Sequence, residues 1–467
     1  MRSLPTSLVL LLLYRISPAL ATHFDSTPHL ARLAERSTSI SGINLNLSIP
    51  TSWTKWGDGR APDWALPEKK NAWIPVDKVR GVNLGGLFIM EPWMARTSWE
   101  AMGCRNYDSE WECNQAKGME VMQAQWETHW DTFYQEEDFI EMKRLGLNTI
   151  RIPVGYWIVD SLIESDPFAY GGMHALKRIL RWSRENGIFS ILDLHGAPGS
   201  QQVHQSFTGH TTNEAGFFSN ANYQRAWDCL RNLTIMSHTD SDFSNVVMLQ
   251  VLNEPLQSSD TDLTSVFYPT AQQVIRDAEK ELGVNCLGYF PECLTIQFMD
   301  TNWGSGDPSS HLKTPDWDHV AYDTHTYVQW MVSGTNATRE GYLEYLCTNT
   351  RSTDMGGSPV ITGEFSISSM GGGEMDPSSD GAQGFFEDFA AAAITSAEKG
   401  AGWIFWSWKT ELSDASKPLW GYYDAVQAGY IPKDLTTLNR RVCDPYSSED
   451  SVFAGNWSHS ARDGQRR

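Results

Sequence analysis

Two glutamates stand where apolar runs break off: Glu254 in "VVMLQVLNEP" (246–255) and Glu364 in "PVITGEF" (359–365). A carboxylate after a β-branched run is desolvated unless it has a partner or a task, and Pro255 removes the next ladder donor. Two carboxylates facing each other are what cleavage of a glycosidic bond requires. One protonates the leaving oxygen, and the other attacks or stabilises the anomeric carbon. Their pKa values must separate, the acid kept neutral by apolar or like-charged surroundings and the nucleophile kept ionised by donors. Taken alone, Glu364 reads equally well as a loop carboxylate.

The other apolar runs end in residues that could serve such a pair. They bring Asn83, Arg151 between two isoleucines, Asp193 and His195 in "DLH", Asn253, His325 and Tyr327 in "DTHTY", and Trp406 and Trp408 in "WIFWSW". Arg151 reads as an ion-pair partner, which is compatible with holding one of the glutamates. His195 and His325 each follow an Asp by two residues, which raises a metal site; H-x-H and clustered ligands are missing, so a mechanism free of metal and cofactor is expected.

Residues as far apart as Glu254 and Glu364, 110 positions, converge only if the elements between them fold back regularly. Eight apolar runs recur, at 79–85, 149–154, 189–195, 246–255, 294–299, 319–327, 359–365 and 402–408. Helix-like stretches alternate with them, the clearest being "GGMHALKRILRWSRENG", with Met173, Leu176, Ile179 and Leu180 on one stripe and Gly187 as the stop. Similar stretches start at Asp262 and Gly384. Buried strands alternating with helices predict an α/β fold, a single-domain (β/α)8 TIM barrel whose strand C-termini share one face. The segment between the fifth and sixth runs has no helical stripe, which leaves an open doubly wound sheet as the alternative.

Composition narrows the partners. With 36 basic against 57 acidic residues the net charge is -21, which excludes a nucleic-acid partner. The 20 Trp, 16 Tyr and 19 Phe suit core packing or stacking on sugars. "GSGD" (304–307) and "GGGE" (371–374) lack the Lys-Ser/Thr of a phosphate loop, and no G-x-S-x-G elbow points to an esterase.

The chain opens with Arg2, an apolar run from Leu8 to Tyr14 and small residues at Ala19 and Ala21, the pattern of a signal peptide over residues 1–21. A leader wrapping the barrel (22–75), the catalytic domain (76–443) and a disordered tail (444–467) are expected to follow. No run is long enough to span a bilayer. A secreted, monomeric, glycosylated protein of the extracellular space or cell wall is expected, with N-x-S/T triplets at Asn46, Asn232, Asn336 and Asn456. Seven cysteines in an oxidising compartment predict disulfides, with Cys104–Cys113 and Cys286–Cys293 as local closures and at least one thiol left over.

Together, "RGVNLGG", "TIRIPVGYW", "LDLHGAPGSQ", "LNEP", "THTY", "ITGEFS" and "WIFWSWK" resemble glycoside hydrolase family 5, a family of retaining (β/α)8 glycosidases, over roughly residues 79–435. The resemblance implies that Glu254 is the acid/base and Glu364 the nucleophile. It implies that Asn253 binds the sugar 2-hydroxyl, that Arg151 and Tyr327 hold the nucleophile, and that His195 and His325 line the subsite at the cleaved bond. Trp406, rather than Trp408, would be the platform under that sugar, and Glu91 in "IMEPWM" would bind its far hydroxyls. Within the family the sequence is most similar to fungal β-glucanases of the endo-β-1,6 kind, through "FIMEPWM", "NWGSGDP" and "DAVQAGYIP". An exo-β-1,3-glucanase or a glucosyl-lipid β-glucosidase is the alternative, because "THTY" departs from the family run near the substrate. From another class, a glucan-binding wall protein without turnover is disfavoured by the intact set of polar residues.

Overall fold

The computed structural model describes residues 75–256, 258, 261–286, 292–300, 319–332, 334–349 and 358–446. The expected signal peptide, the leader up to residue 74, the tail beyond residue 446, and the triplets at Asn46 and Asn456 lie outside the described residues.

Eight strands, β1 (Val79–Asn83), β2 (Thr149–Gly155), β3 (Phe189–Gly196), β4 (Val246–Gln250), β5 (Thr295–Met299), β6 (Val320–Thr326), β7 (Val360–Phe365) and β8 (Gly402–Phe405), pair in chain order into a closed barrel. Every neighbouring pair is parallel, and β1 closes on β8 with Val79 opposite Gly402 and Val82 opposite Phe405. The open-sheet alternative is thereby excluded. The barrel explains why the runs read as continuously apolar: strands buried on both faces have no solvent side to mark with polar residues.

Helices cover the outside. Between the strands run α1 (Glu136–Arg144), α2 (Gly172–Glu185), α3 (Asn220–Thr239), α4 (Tyr268–Glu281), α5 (Arg339–Thr348) and α6 (Ala382–Ala397). In α1 a capping box between Gln135 and Asp138 starts the helix, and Lys143 and Arg144 close it, matching the helix dipole at both ends. In α2 the stripe Ala175, Leu176, Ile179 and Leu180 is buried, and Met173 packs at its edge. Gly187 follows at a φ of 65°, the left-handed conformation that lets the chain turn back into β3.

Alternation along the strands separates two cores. Ile150 and Ile152 belong to the large cluster with the helices, whereas Val79, Ile191, Met248, Ala321, Ile361 and Ile404 form a small cluster of their own. Side chains from six strands of a closed barrel can meet only in its interior, so this second cluster is the plug at the N-terminal end.

Both expected disulfides, Cys104–Cys113 and Cys286–Cys293, are present. A third, Cys347–Cys443, ties the end of α5 to the 3-10 helix Arg440–Tyr446 across 96 residues, a loop whose closure stabilises by about 4–5 kcal/mol in the chain-entropy account. Cys229 is free and buried. Among the described residues no helix is long and apolar enough to cross a membrane.

One expectation about β4 needs correction. The ladder ends at Gln250 rather than at the proline, although Asn253 still donates its backbone N–H to the Leu194 carbonyl at 2.9 Å. Pro255 therefore does not end the strand. Glu254 just before it sits at a φ of 36°, in the left-handed region that a side chain rarely adopts and far from the extended conformation a following proline favours. Such strain costs on the order of 1–3 kcal/mol and gathers at functional sites.

Candidate active site

The C-terminal mouth of the barrel is built around Arg151. It is fully buried, on β2, and its guanidinium reaches five neighbouring strands or strand ends. Nε donates to Gln250 Oε1 at 2.8 Å; Nη1 donates to Asn83 Oδ1 at 2.9 Å and to Glu364 Oε1 at 2.8 Å; Nη2 donates to Asn253 Oδ1 at 2.8 Å. Nη2 also lies 3.0 Å from Asp193 Oδ2 and 3.7 Å from Asp323 Oδ2. Burial alone would loosen the Arg151 proton, but Asp193, Glu364 and Asp323 together push its pKa up. One cation thus compensates several carboxylates that could not share a dry site without it.

Glu364 is held from two sides. Its other oxygen, Oε2, accepts from the Tyr327 hydroxyl at 2.7 Å, and His325 Nδ1 lies 3.5 Å away. Burial, followed by the charges of Glu364 and Glu254, pushes the Tyr327 phenol well up, so it remains a donor.

Glu254 meets His325 instead, Nδ1 to Oε1 at 2.6 Å, and the other ring nitrogen of His325 faces Asp323 Oδ2 at 3.1 Å. The His325 ring thus stands between two carboxyl groups, one at each nitrogen. Burial works against a charge on the ring, yet Glu364 and Asp323 raise the His325 pKa well above the usual value. Glu254 is raised mainly by burial, with the charge of Glu364 adding and His325 opposing. Asp323 is fixed in turn by the Gly363 backbone N–H at 2.8 Å, where a Cβ on residue 363 would collide with it.

The remaining expected residues close the site. His195 donates from Nδ1 to Asp193 Oδ2 at 2.6 Å, leaving Nε2 toward the Asn253 amide at 3.4 Å. The Trp406 indole lies parallel to the His195 ring at 5.6 Å. Trp408 turns away, its Nε1 donating to Asp138, so of the two tryptophans the first faces the site. Gln201 staples the mouths of β3 and β4 together through the carbonyls of His195 and Asn253, at 2.6 and 3.0 Å. Glu91 follows β1, buried, with Oε2 accepting from the Trp93 indole at 2.9 Å. Burial pushes Glu91 up to about 7, the indole hydrogen bond opposing and the charges of Glu364 and Glu254 adding.

All nine residues expected at the site therefore converge. One oxygen of Glu254, one of Glu364 and a nitrogen of His325 lie within 4.8 Å of one another. That spacing could suit a metal, but both ring nitrogens of His325 are already engaged by carboxyl groups, Nδ1 by Glu254 and Nε2 by Asp323. Asp323, Gln250 and the rim aromatics Trp93, Trp330 and Trp420 were not singled out from the sequence. Asp323 carried a signal, its place two residues before His325 on one strand, which puts both side chains on the same face. Trp93 stands in a turn after β1, and Trp330 and Trp420 in the four-residue helices Val328–Met331 and Lys417–Trp420, segments whose course the strand pattern does not give.

Residues 114–412 match the model of the cellulase family, glycosyl hydrolase family 5. The chain is 40% identical over 376 residues to a protein of Emericella nidulans named glucan endo-1,6-beta-glucosidase B, covering 78% of this chain and 88% of that one. It is 28% identical over 417 residues to a glucan 1,3-beta-glucosidase of Candida oleophila, covering 80% and 93%. The crystal structure of rutinosidase from Aspergillus niger shares the fold, with a TM-score of 0.61 at 17% identity over 76% of this chain and 97% of that one. The chain belongs to glycosyl hydrolase family 5 and is a glycosidase.

Proposed function

Proceeding from membership of glycosyl hydrolase family 5, we propose that the protein is a retaining β-glucanase that hydrolyses β-1,6-linked glucan by double displacement. The observation that carries the mechanism is the approach of Glu254 to Glu364 within 4.8 Å. Carboxyl groups about 5–5.5 Å apart suit a covalent glycosyl-enzyme, whereas a water between them needs roughly 6.5–9.5 Å.

Glu364, with Arg151 and Tyr327 donating to its two oxygens, is the nucleophile. Glu254, its proton held by burial and by the charge of Glu364, protonates the leaving oxygen. Once Glu364 is bonded to the sugar its charge is gone, the Glu254 carboxyl loses that upward push, and it can take a proton from the attacking water. One pair of groups thereby serves as acid first and base second. The Asn253 amide, its oxygen already committed to Arg151, presents a donor to the 2-hydroxyl. Trp406 offers a flat face to the sugar, and Glu91 binds the hydroxyls at its far edge.

The β-1,6 linkage rests on the relatives: the similarity to the endo-1,6 enzyme is well above that to the 1,3 enzyme. Three disulfides and the apolar N-terminal run support action outside the cell. Product analysis on pustulan, a β-1,6-glucan, against laminarin, a β-1,3-glucan, tests the reading. Release of glucose oligomers at least about tenfold faster from pustulan is expected; the reverse ratio would reassign the linkage, and a folded protein that cleaves neither would be a binding protein.

A further inference from the structure

Two indoles at the mouth stay in contact with solvent although the core could have taken them: Trp93 is 38% exposed and Trp330 57%. They are joined through other rings. Trp93 meets Trp420 edge to face at 4.9 Å, Trp420 meets Tyr327 at 5.7 Å and Trp330 at 6.4 Å, and Tyr327 meets Trp330 at 5.2 Å. The row gathers residues from three separate connections: Trp93 from the turn after β1, Trp330 from the short helix Val328–Met331 after β6, and Trp420 from the short helix Lys417–Trp420 after β8.

Each end of this row is fastened to the site. The Trp93 indole donates to Glu91, and the Tyr327 hydroxyl donates to Glu364. A patch of aromatic surface continuous with a polar reaction site is unlike scattered surface apolar residues; it marks a binding surface. The overall acidity of the chain disfavours a polyanion on it, and a pyranose presents an uncharged face of C–H groups to an aromatic ring.

We propose that Trp93, Trp420 and Trp330 form a glucan-binding row that seats glucose units beyond the one at the cleaved bond, so that the enzyme engages the polysaccharide as a chain. This rests on the glucanase reading above. Trp420, half-buried between the other two, sets the spacing, while Trp93 and Trp330 carry the contact. Loss of one stacking ring is expected to change the equilibrium about tenfold, equivalent to about 1.4 kcal/mol.

The test compares kcat/KM on β-1,6-linked glucose oligomers of two to six units with kcat/KM on an aryl β-glucoside, for the full chain and for Trp330→Ala and Trp93→Phe. In the parent, kcat/KM is expected to rise with oligomer length. In Trp330→Ala the ratio of hexamer to aryl glucoside should fall about tenfold, mainly through KM, with a smaller fall in Trp93→Phe, and thermal melts should match the parent. Variants that keep the rise with length would overturn the row and leave the glucanase reading standing. A parent inactive on every oligomer yet active on the aryl glucoside would remove that reading, and the row with it.

Discussion

The two ends of the barrel interior are built from the same eight strands and have opposite chemistry. At the N-terminal end Val79, Ile191, Met248, Ala321, Ile361 and Ile404 pack on one another. Two residues further along several of the same strands stand Asp193, Gln250, Asp323 and Gly363, and beyond them His195, His325, Glu364 and Trp406. The plug end is what hydrophobic burial alone would select. The mouth end buries Arg151 and several carboxylates, which costs stability unless every charge is matched. On β3 and β6 the alternation carries through from plug to mouth, whereas on β7 an irregularity after Thr362 brings Glu364, three residues past Ile361, to the mouth. The plug end is held by apolar contact and the mouth end by charge compensation around Arg151.

Substitutions at the two ends should separate activity from stability. Glu364→Gln and Glu254→Gln are expected to lower kcat on pustulan by about 10⁴-fold or more while the melting transition persists. Turnover near the parent rate in either would break the assignment of the mouth. Arg151→Met should lose activity as well as about 3–5 kcal/mol of stability, because it leaves Asp193, Asp323 and Glu364 buried without their cation; urea unfolding checks this. At the plug end, Ile361→Ala should cost about 2–5 kcal/mol by cavity formation and leave kcat per folded molecule within about twofold. A large fall in kcat there would show that the two ends are coupled.

The smallest effect is a slope with pH. Burial raises the Glu91 pKa from its ordinary 4.5 to about 7, so the native state binds its proton more tightly than the unfolded chain does. Its contribution is fully present below about pH 4.5 and is lost as pH rises through 7. The stability of the parent relative to Glu91→Gln should accordingly decline over this range, by up to about 3 kcal/mol. Denaturation at pH 4.5 and 7.5 measures it, and parallel curves would show that folding leaves the Glu91 pKa unshifted.

Much of the mouth is legible in the chain because parallel strands announce themselves as apolar runs, and a polar residue within or at the end of such a run needs a partner or a task. Arg151, His325 and Glu364 stand inside their strands in this way, and the family resemblance adds Glu91, which belongs to no strand. Where local geometry decides, the reading fell short. The β4 ladder stops at Gln250, and Glu254 takes a positive φ that neither its type nor Pro255 favours. Cys347–Cys443 joins residues that only the folded barrel brings together. Trp93 sits in a turn, and Trp330 and Trp420 in helices of one turn, too short for a periodicity that would place them, so the rim is the part of the site that the sequence showed least.

The closest test of the paired glutamates is the configuration of the first product. Hydrolysis of a β-linked glucose oligomer followed by proton NMR, faster than mutarotation, should show the β-anomer appearing first, as two successive inversions through Glu364 require. Initial release of the α-anomer would mean a single displacement by water and would contradict the account.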